Sequence, residues 1–289
     1  MACLFAARLT GANLSVRMLG SWAEGIQALR DHGVRVRDAE GGEQAFSVQV
    51  SDNPKACEGA QLILVLVKAW QTEQAGQRLL QCIAPDALVL TLQNGEGNYE
   101  KLTRLLGANR VAVGSTTLGA TLLGPGIVSL AGEGVITLGI HSRLKPMTDR
   151  LGKAGFTVET VPDIRSVQWG KLVINAAINP LTALLRVRNG ELLNRTSARS
   201  VMTATAREAA AVAIANGIHL PYPDPVLATE AIARKTATNH SSMFQDVLRG
   251  TQTEIDFING AIVQAGENKG LQVAVNRVLW QLVKAATNR

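Results

Sequence analysis

Hydrophobic positions follow two different patterns along this chain of 289 residues. In the first half, short apolar runs alternate with segments whose apolar residues recur every three to four positions. The runs predict buried strands and the segments predict helices, an alternation typical of a parallel sheet with crossover helices. Strands are predicted at 15–19, 62–67, 88–92, 110–114 and 157–161, and helices at 1–9, 22–30, 72–83, 99–106 and 144–154.

The pattern changes twice further along. Between residues 116 and 139 glycines recur among β-branched residues, which predicts antiparallel strands closing one edge of the sheet. After residue 162 the strand signals stop, and helices are predicted at 165–184, 199–216, 225–237, 253–269 and 275–287. The expected fold class is therefore α/β, with a Rossmann-like N-terminal domain over residues 1–162 and a mostly α-helical second domain over residues 163–289.

Composition and charge narrow the classes of partner. The net charge of +6 is spread along the chain with only 4% aromatic residues, so we expect no nucleic-acid partner. The longest apolar run is too short for a membrane span, and no signal peptide is predicted. Three cysteines without a CxxC pair and four scattered histidines predict reduced thiols, no metal site and a cytoplasmic location. The helical domain could support a homodimer.

Polar residues follow several of the predicted strands, where doubly wound sheets bind ligands. Lys68 and Asn94 follow the carboxyl ends of two predicted strands. Ser21 occupies the position of the residue that usually binds the ribose of the cofactor. The glycine-rich GxGxxG loop is absent. We expect the first strand and this loop to lie upstream of Met1, with Ala2 at the third glycine position. The alternative is an ordinary N-terminal helix.

A polar stripe marks the first predicted helix of the second domain. Lys171, Asn175 and Asn179 are spaced four residues apart, so they share one helix face among apolar neighbours. Pro180 is expected to end or bend this helix. The stripe could be a solvated face, but repeated asparagine, a poor helix former, favours a site that needs amide groups.

Two further polar segments follow in the second domain. Residues 239–246 contain Asn239 and a Ser241-Ser242 pair that could cap a helix, and residues 253–260 contain Glu254. Carboxylates in a first helical turn also complement the helix dipole, so neither segment alone indicates a site.

Together these motifs resemble the ketopantoate reductase family (2-dehydropantoate 2-reductases) along almost the whole chain. The most specific parts are Lys171-x3-Asn175-x3-Asn179-Pro180, Ser241-Ser242-Met243-x-Gln245-Asp246 and Thr253-Glu254-Ile255-Asp256-x-Ile258-Asn259-Gly260. The match also includes Gln93-Asn94-Gly95.

The resemblance implies reduction of 2-dehydropantoate to pantoate by NADPH, on the route to pantothenate and coenzyme A. It implies that Lys171 is the general acid and that Glu254 lies near the reacting hydroxyl. Substrate would be held by Asn175, Asn179, Asn239, Ser242 and Asn94, and cofactor by Ala2, Ser21, Lys68, Gln71, Asn94 and Glu254. Ser21 replaces the family's usual arginine, so NADH is possible.

Three hypotheses follow for the activity. The leading one is a reductase of 2-dehydropantoate. The second keeps the fold and changes the substrate to another small 2-keto or imino acid. The third is a non-catalytic nucleotide-binding homologue, because the glycine loop is missing.

Overall fold

A computed structural model describes residues 1–287, so the last two residues of the predicted second domain lie outside it. The chain forms two compact units. One comprises Met1–Gln93 with Asn98–Ile164, and the other comprises Asn94–Gly97 with the chain from Arg165 onward. The first is α/β with parallel strands and the second is helical, which confirms the expected fold class.

The α/β unit contains all the strands in residues 1–287. They are β1 (Arg17–Leu19), β2 (Val34–Arg37), β3 (Glu43–Phe46), β4 (Gln49–Ser51), β5 (Leu62–Val65), β6 (Leu88–Thr91), β7 (Val111–Thr116), β8 (Gly119–Gly124), β9 (Ile127–Gly132), β10 (Val135–Gly139) and β11 (Thr157–Val161). Its helices are α1 (Ala2–Gly11), α2 (Ala23–His32), α3 (Thr72–Leu79), α4 (Asn98–Leu106) and α5 (Lys145–Lys153).

Five strands form the central sheet in the order β11-β10-β7-β6-β5. Strands β5, β6 and β7 are parallel, as the alternation predicted, and β10 runs antiparallel to β7. Strand β6 is buried on both faces. Leu88 and Leu90 pack in the cluster that contains Phe5, whereas Val89 packs in the cluster that contains Leu102. Successive strand residues point to opposite faces, so a continuous apolar run fits a sheet covered on both sides.

The prediction for residues 116–139 was partly wrong. Only β10 joins the central sheet there. Strands β8 and β9 pair with each other, and β9 pairs with β2 in a separate sheet ordered β3-β2-β9-β8. Strands β2, β3 and β4 were not predicted, because they are only three or four residues long and their burial is partial. Strand β4 instead pairs in parallel with β1.

The second unit packs its helices around an alanine-rich core. They are α6 (Ile164–Leu185, whose first residue belongs to the α/β unit), α7 (Glu191–Asn194), α8 (Thr196–Ala215), α9 (Pro225–Lys235), α10 (Ser242–Leu248), α11 (Asn259–Glu267) and α12 (Ala274–Thr287). Small residues such as Ala176, Ala206 and Ala209 are fully buried and let the helices approach closely. Within residues 1–287, no helix combines the length and apolar character needed to cross a bilayer.

Pro180 was expected to end or bend helix α6; the helix does not end there but continues to Leu185. One helix prediction in this unit was wrong. The helix expected over 253–269 is divided, because a 3-10 turn at Ile255–Phe257 precedes α11. Ile258, between them, has φ −109° and ψ −88°, which is not helical.

Candidate active site

Helix α6 presents the polar stripe on one face, as its spacing predicted. The side chains of Lys171 and Asn175 are half-buried and that of Asn179 is buried. The Lys171 Nζ donates a hydrogen bond of 2.8 Å to the Oδ1 of Asn94. Two residues that are 77 positions apart in sequence are therefore joined at the start of the stripe.

Burial changes the acidity of the lysine. It lowers the pKa of Lys171 from its ordinary 10.5 to about 8, because a charged ammonium is poorly solvated there. The negative charge of Glu254 acts in the opposite direction and raises that pKa. An ammonium with a pKa near 8 is still charged at neutral pH but gives up its proton far more readily than an exposed lysine.

The segment that carries Asn94 is fixed to the turn that carries Glu254. The backbone N–H of Glu96 donates to the carbonyl of Phe257 at 3.0 Å. Gly95 has φ +81°, and a Cβ at that position would lie 2.7 Å from the same carbonyl oxygen. Only glycine fits this close approach with this backbone conformation. The glycine thus allows Asn94 to reach the lysine while the neighbouring turn holds Glu254, which is buried.

The far end of the stripe meets the start of α10. The hydroxyl of Thr182 lies 2.9 Å from the carbonyl of Asn179 and 2.7 Å from the hydroxyl of Ser241. Ser241, rather than Ser242, caps α10, because its Oγ accepts from the N–H of Phe244. Ser242 is the exposed first residue of that helix, and no hydrogen bond joins its side chain to Asn179 within the described chain.

Asn239 and an unpredicted residue, Asn189, adjoin each other near this end. The backbone N–H of Asn189 donates to the carbonyl of Asn239 at 3.0 Å. The Asn189 Nδ2 donates to Thr236, but its Oδ1 is buried without a partner. A buried acceptor without a partner is rare and is a natural place for a donor from a ligand. In sequence Asn189-Gly190 is typical of an ordinary turn, so only the burial singles it out.

The residues predicted to hold cofactor in the α/β unit lie at helix and strand ends. Ala2 is the exposed first residue of α1, whose N-terminus has no side-chain cap. Ser21 is exposed after β1 and follows Gly20, whose carbonyl accepts from the Arg78 guanidinium.

Lys68 and Gln71 form the turn after β5, where the N–H of Lys68 donates to the Gln71 Oε1 at 3.3 Å. The Oε1 of Gln71 is therefore already bonded to the backbone.

Comparison with known proteins identifies the family. The family described as "Ketopantoate reductase PanE/ApbA" matches residues 1–143, and its C-terminal counterpart matches residues 163–287. A 2-dehydropantoate 2-reductase of Archaeoglobus fulgidus is 38% identical over 90% of this chain and 85% of its own length.

Two solved structures extend the likeness to the fold. A PanE/ApbA family ketopantoate reductase from Ralstonia eutropha JMP134 has a TM-score of 0.91 and 33% identity, covering 98% of this chain and 94% of that one. A D-mandelate dehydrogenase solved with NADH and anilino(oxo)acetate also has a TM-score of 0.91, with 27% identity over 99% and 94% of the two chains.

The fold, the half-buried lysine and these matches define an oxidoreductase. More narrowly, the chain belongs to the ketopantoate reductase (PanE/ApbA) family, which confirms the resemblance inferred from its motifs.

Proposed function

We propose that this protein reduces 2-dehydropantoate to pantoate with NADPH and that Lys171 is the general acid. The observation that carries the proposal is a half-buried ammonium with a pKa of about 8, bonded to Asn94 and subject to the charge of Glu254. It is supported by relatives named 2-dehydropantoate 2-reductase. The pathway follows from the product, since pantoate leads to pantothenate and coenzyme A.

The residues of the α/β unit suit a dinucleotide. The uncapped N-terminus of α1 offers backbone N–H groups to phosphate, and its helix packs through Phe5 on the central sheet. Ala2, Lys68 and Gln71 would bind the phosphates and the nicotinamide half of the dinucleotide. The bound cofactor supplies a hydride to the ketone carbon.

Side chains of the protein stabilise the charge that develops on the substrate and supply the proton. When the ketone is reduced, negative charge develops on its oxygen, where an ammonium stabilises it most strongly. Lys171 then delivers a proton from Nζ to that oxygen, leaving a neutral amine that solvent reprotonates. Glu254 keeps the lysine charged before the step, and Asn94 holds Nζ in one direction.

Substrate orientation falls to neutral groups. The carboxamides of Asn175 and Asn179 have no protein hydrogen-bond partner in residues 1–287, so their donors and acceptors are available to the substrate. Asn239 and Ser242 would complete the substrate site, and the unsatisfied Oδ1 of Asn189 extends it. Amides and hydroxyls orient a keto acid without changing its charge.

The preference for NADPH is part of this proposal. The Arg78 guanidinium donates to the carbonyl of Gly20, the residue before Ser21. Its positive charge near this loop favours binding of the 2′-phosphate of NADPH. A serine lacks the carboxylate that usually selects NADH. The ratio of kcat/KM for NADPH to that for NADH tests it. A ratio below one, or no change in the ratio on Ser21→Asp, contradicts it.

A second candidate is reduction of another 2-keto acid. It is favoured by the D-mandelate dehydrogenase, whose fold matches as closely as that of the ketopantoate reductase. A panel of branched and aromatic 2-keto acids, assayed with both nicotinamide cofactors, decides between the two candidates. A kcat/KM at least about tenfold higher for an aromatic keto acid than for 2-dehydropantoate would favour the second.

The lysine is tested in the same assay. Lys171→Ala should lower kcat on the order of 100-fold or more, whereas the exposed Lys269→Ala should not. Cofactor binding is measured separately by quenching of protein fluorescence. A chain that binds NADPH but turns over no keto acid contradicts the proposed function. That result favours the non-catalytic nucleotide-binding homologue, whereas failure to bind either cofactor contradicts both hypotheses.

The location and partners belong to the proposal as well. We expect a cytoplasmic enzyme whose partner is a small 2-keto acid, without nucleic-acid or membrane partners. Cys3, Cys57 and Cys82 are free thiols, as a reducing compartment requires. The helical unit could support a homodimer, and sedimentation velocity tests whether one forms.

A further inference from the structure

Helix α6 contains a proline that removes one of its own hydrogen bonds. In an α-helix each carbonyl accepts from the N–H four residues later. The residue four positions after Ala176 is Pro180, which has no N–H, yet the helix continues to Leu185. The carbonyl of Ala176 therefore needs a donor from elsewhere, and it lies next to Asn175 in the polar stripe.

Asn259 supplies that donor from the first residue of α11. Its Nδ2 lies 3.1 Å from the carbonyl oxygen of Ala176 and 3.0 Å from the Oδ1 of Asn276. Its side chain is completely buried. The two hydrogens of this one amide thus join α11 to α6 and to α12. Asn259 and Ala176 are 83 residues apart in the sequence.

The orientation of the Asn259 amide is determined by its neighbours. Asn276 donates through Nδ2 to the Oε1 of Glu208 at 2.8 Å, so its own Oδ1 must face Asn259. Glu208 is held in turn by the backbone N–H groups of Val275 and Asn276. Rotating the Asn259 amide by half a turn would place its Oδ1 against the Ala176 carbonyl oxygen and the Asn276 Oδ1, both of which are acceptors. The Asn259 Oδ1 is left buried without a partner, so this orientation of the amide carries a desolvation cost.

The bonded groups adjoin the site on both sides. Asn259 follows Ile258 and the turn that carries Glu254 and the Phe257 carbonyl, to which the Asn94 segment is bonded. We propose that Asn259 is a positioning residue, which uses the carbonyl freed by Pro180 to hold the Glu254 turn on the helix that carries Lys171. The inference rests on the proposed function, because the pair it positions is the proposed acid and its counter-charge.

Three variants separate positioning from simple stability. Asn259→Ala removes the donor and leaves the Ala176 carbonyl unsatisfied. Pro180→Ala restores an N–H four residues after Ala176, so the carbonyl regains a partner inside its own helix. Asn259→Ala also takes the donor from the Asn276 Oδ1, so the double variant recovers only part of the thermal stability lost by Asn259→Ala. It still lacks the tether between the turn and α6. Asp224→Ala, which removes the cap of α9, is the control for an unrelated loss of stability.

Two measurements are made on each variant. The first is the rate at which an amine-specific reagent labels Lys171 as a function of pH, read by mass spectrometry on protein without cofactor. The second is kcat/KM across pH with NADPH and the best keto acid. With the Glu254 turn released, the charge that raises the Lys171 pKa moves away, so the labelling midpoint falls below about 8.

The expected result is a shifted labelling midpoint in Asn259→Ala and in the double variant, with about tenfold lower kcat/KM at neutral pH in both. Asp224→Ala keeps the original midpoint and kcat/KM. The proposal is overturned if the double variant regains stability together with the original midpoint, or if Asn259→Ala never moves it. Labelling requires no turnover, so failure of the proposed function would show as absent activity in the unmodified protein and leave the midpoint comparison intact.

Discussion

Replacing Lys171 by methionine should stabilise the protein while removing its activity. Methionine keeps an unbranched apolar side chain of similar length and carries no charge. In the folded protein burial lowers the pKa of Lys171 from 10.5 to about 8. One pKa unit corresponds to about 1.4 kcal/mol, so holding this lysine charged costs about 3 kcal/mol of folding free energy at neutral pH.

Other losses reduce the gain. The bond from Nζ to Asn94 disappears, which removes about 1 kcal/mol, and remaining contact with solvent weakens the desolvation cost. A net increase of about 1–2 kcal/mol in the free energy of unfolding is therefore expected for Lys171→Met at pH 7. The turnover should fall on the order of 100-fold or more.

The pH dependence gives the prediction its sign. Below about pH 8 the lysine is protonated in both the folded and unfolded states, so the full cost is present. Between about 8 and 10.5 the folded protein releases the proton while the unfolded chain keeps it, and the unmodified protein gains stability as pH rises. The difference between the variant and the unmodified protein should therefore shrink across this range.

Urea unfolding at several pH values measures the effect. Trp169 and Trp280 lie in the helical unit and report on its unfolding by fluorescence. Lys269→Met, at an exposed position, is the control and should change the midpoint little. A variant that is less stable than the unmodified protein at pH 7, or a difference that does not change between pH 7 and 10, would refute the reasoning.

Three further substitutions test the site and the fold. Glu254→Gln removes the charge that raises the Lys171 pKa, so the alkaline limb of kcat/KM should move to lower pH; an unmoved limb contradicts the pairing. Gly95→Ala places a Cβ 2.7 Å from a backbone carbonyl at φ +81°, so thermal stability and kcat should both fall. Arg199→Ala removes a guanidinium that lowers the pKa of buried Glu230, so stability falls at pH 7 and the difference should shrink in melts as the pH is lowered below 4.5.

The local sequence pattern determined the central sheet, the face of the polar stripe and the family. The alternation of apolar runs and helical segments predicted the parallel sheet, because burial on both faces requires continuous apolar strands. The spacing of Lys171, Asn175 and Asn179 placed them on one helix face, since the period of a helix is a local property. The motifs around them identified the family.

Tertiary structure decided the rest. A proline predicts a helix end from its missing N–H, but an asparagine 83 residues away from Ala176 supplies the lost donor, and α6 continues through Pro180. The acidity of Lys171 depends on burial and on Glu254, and its direction depends on Asn94, 77 residues distant. Sequence spacing reports which side chains share an element. Hydrogen bonds and desolvation depend on which elements pack together, and that is determined only when the whole chain folds.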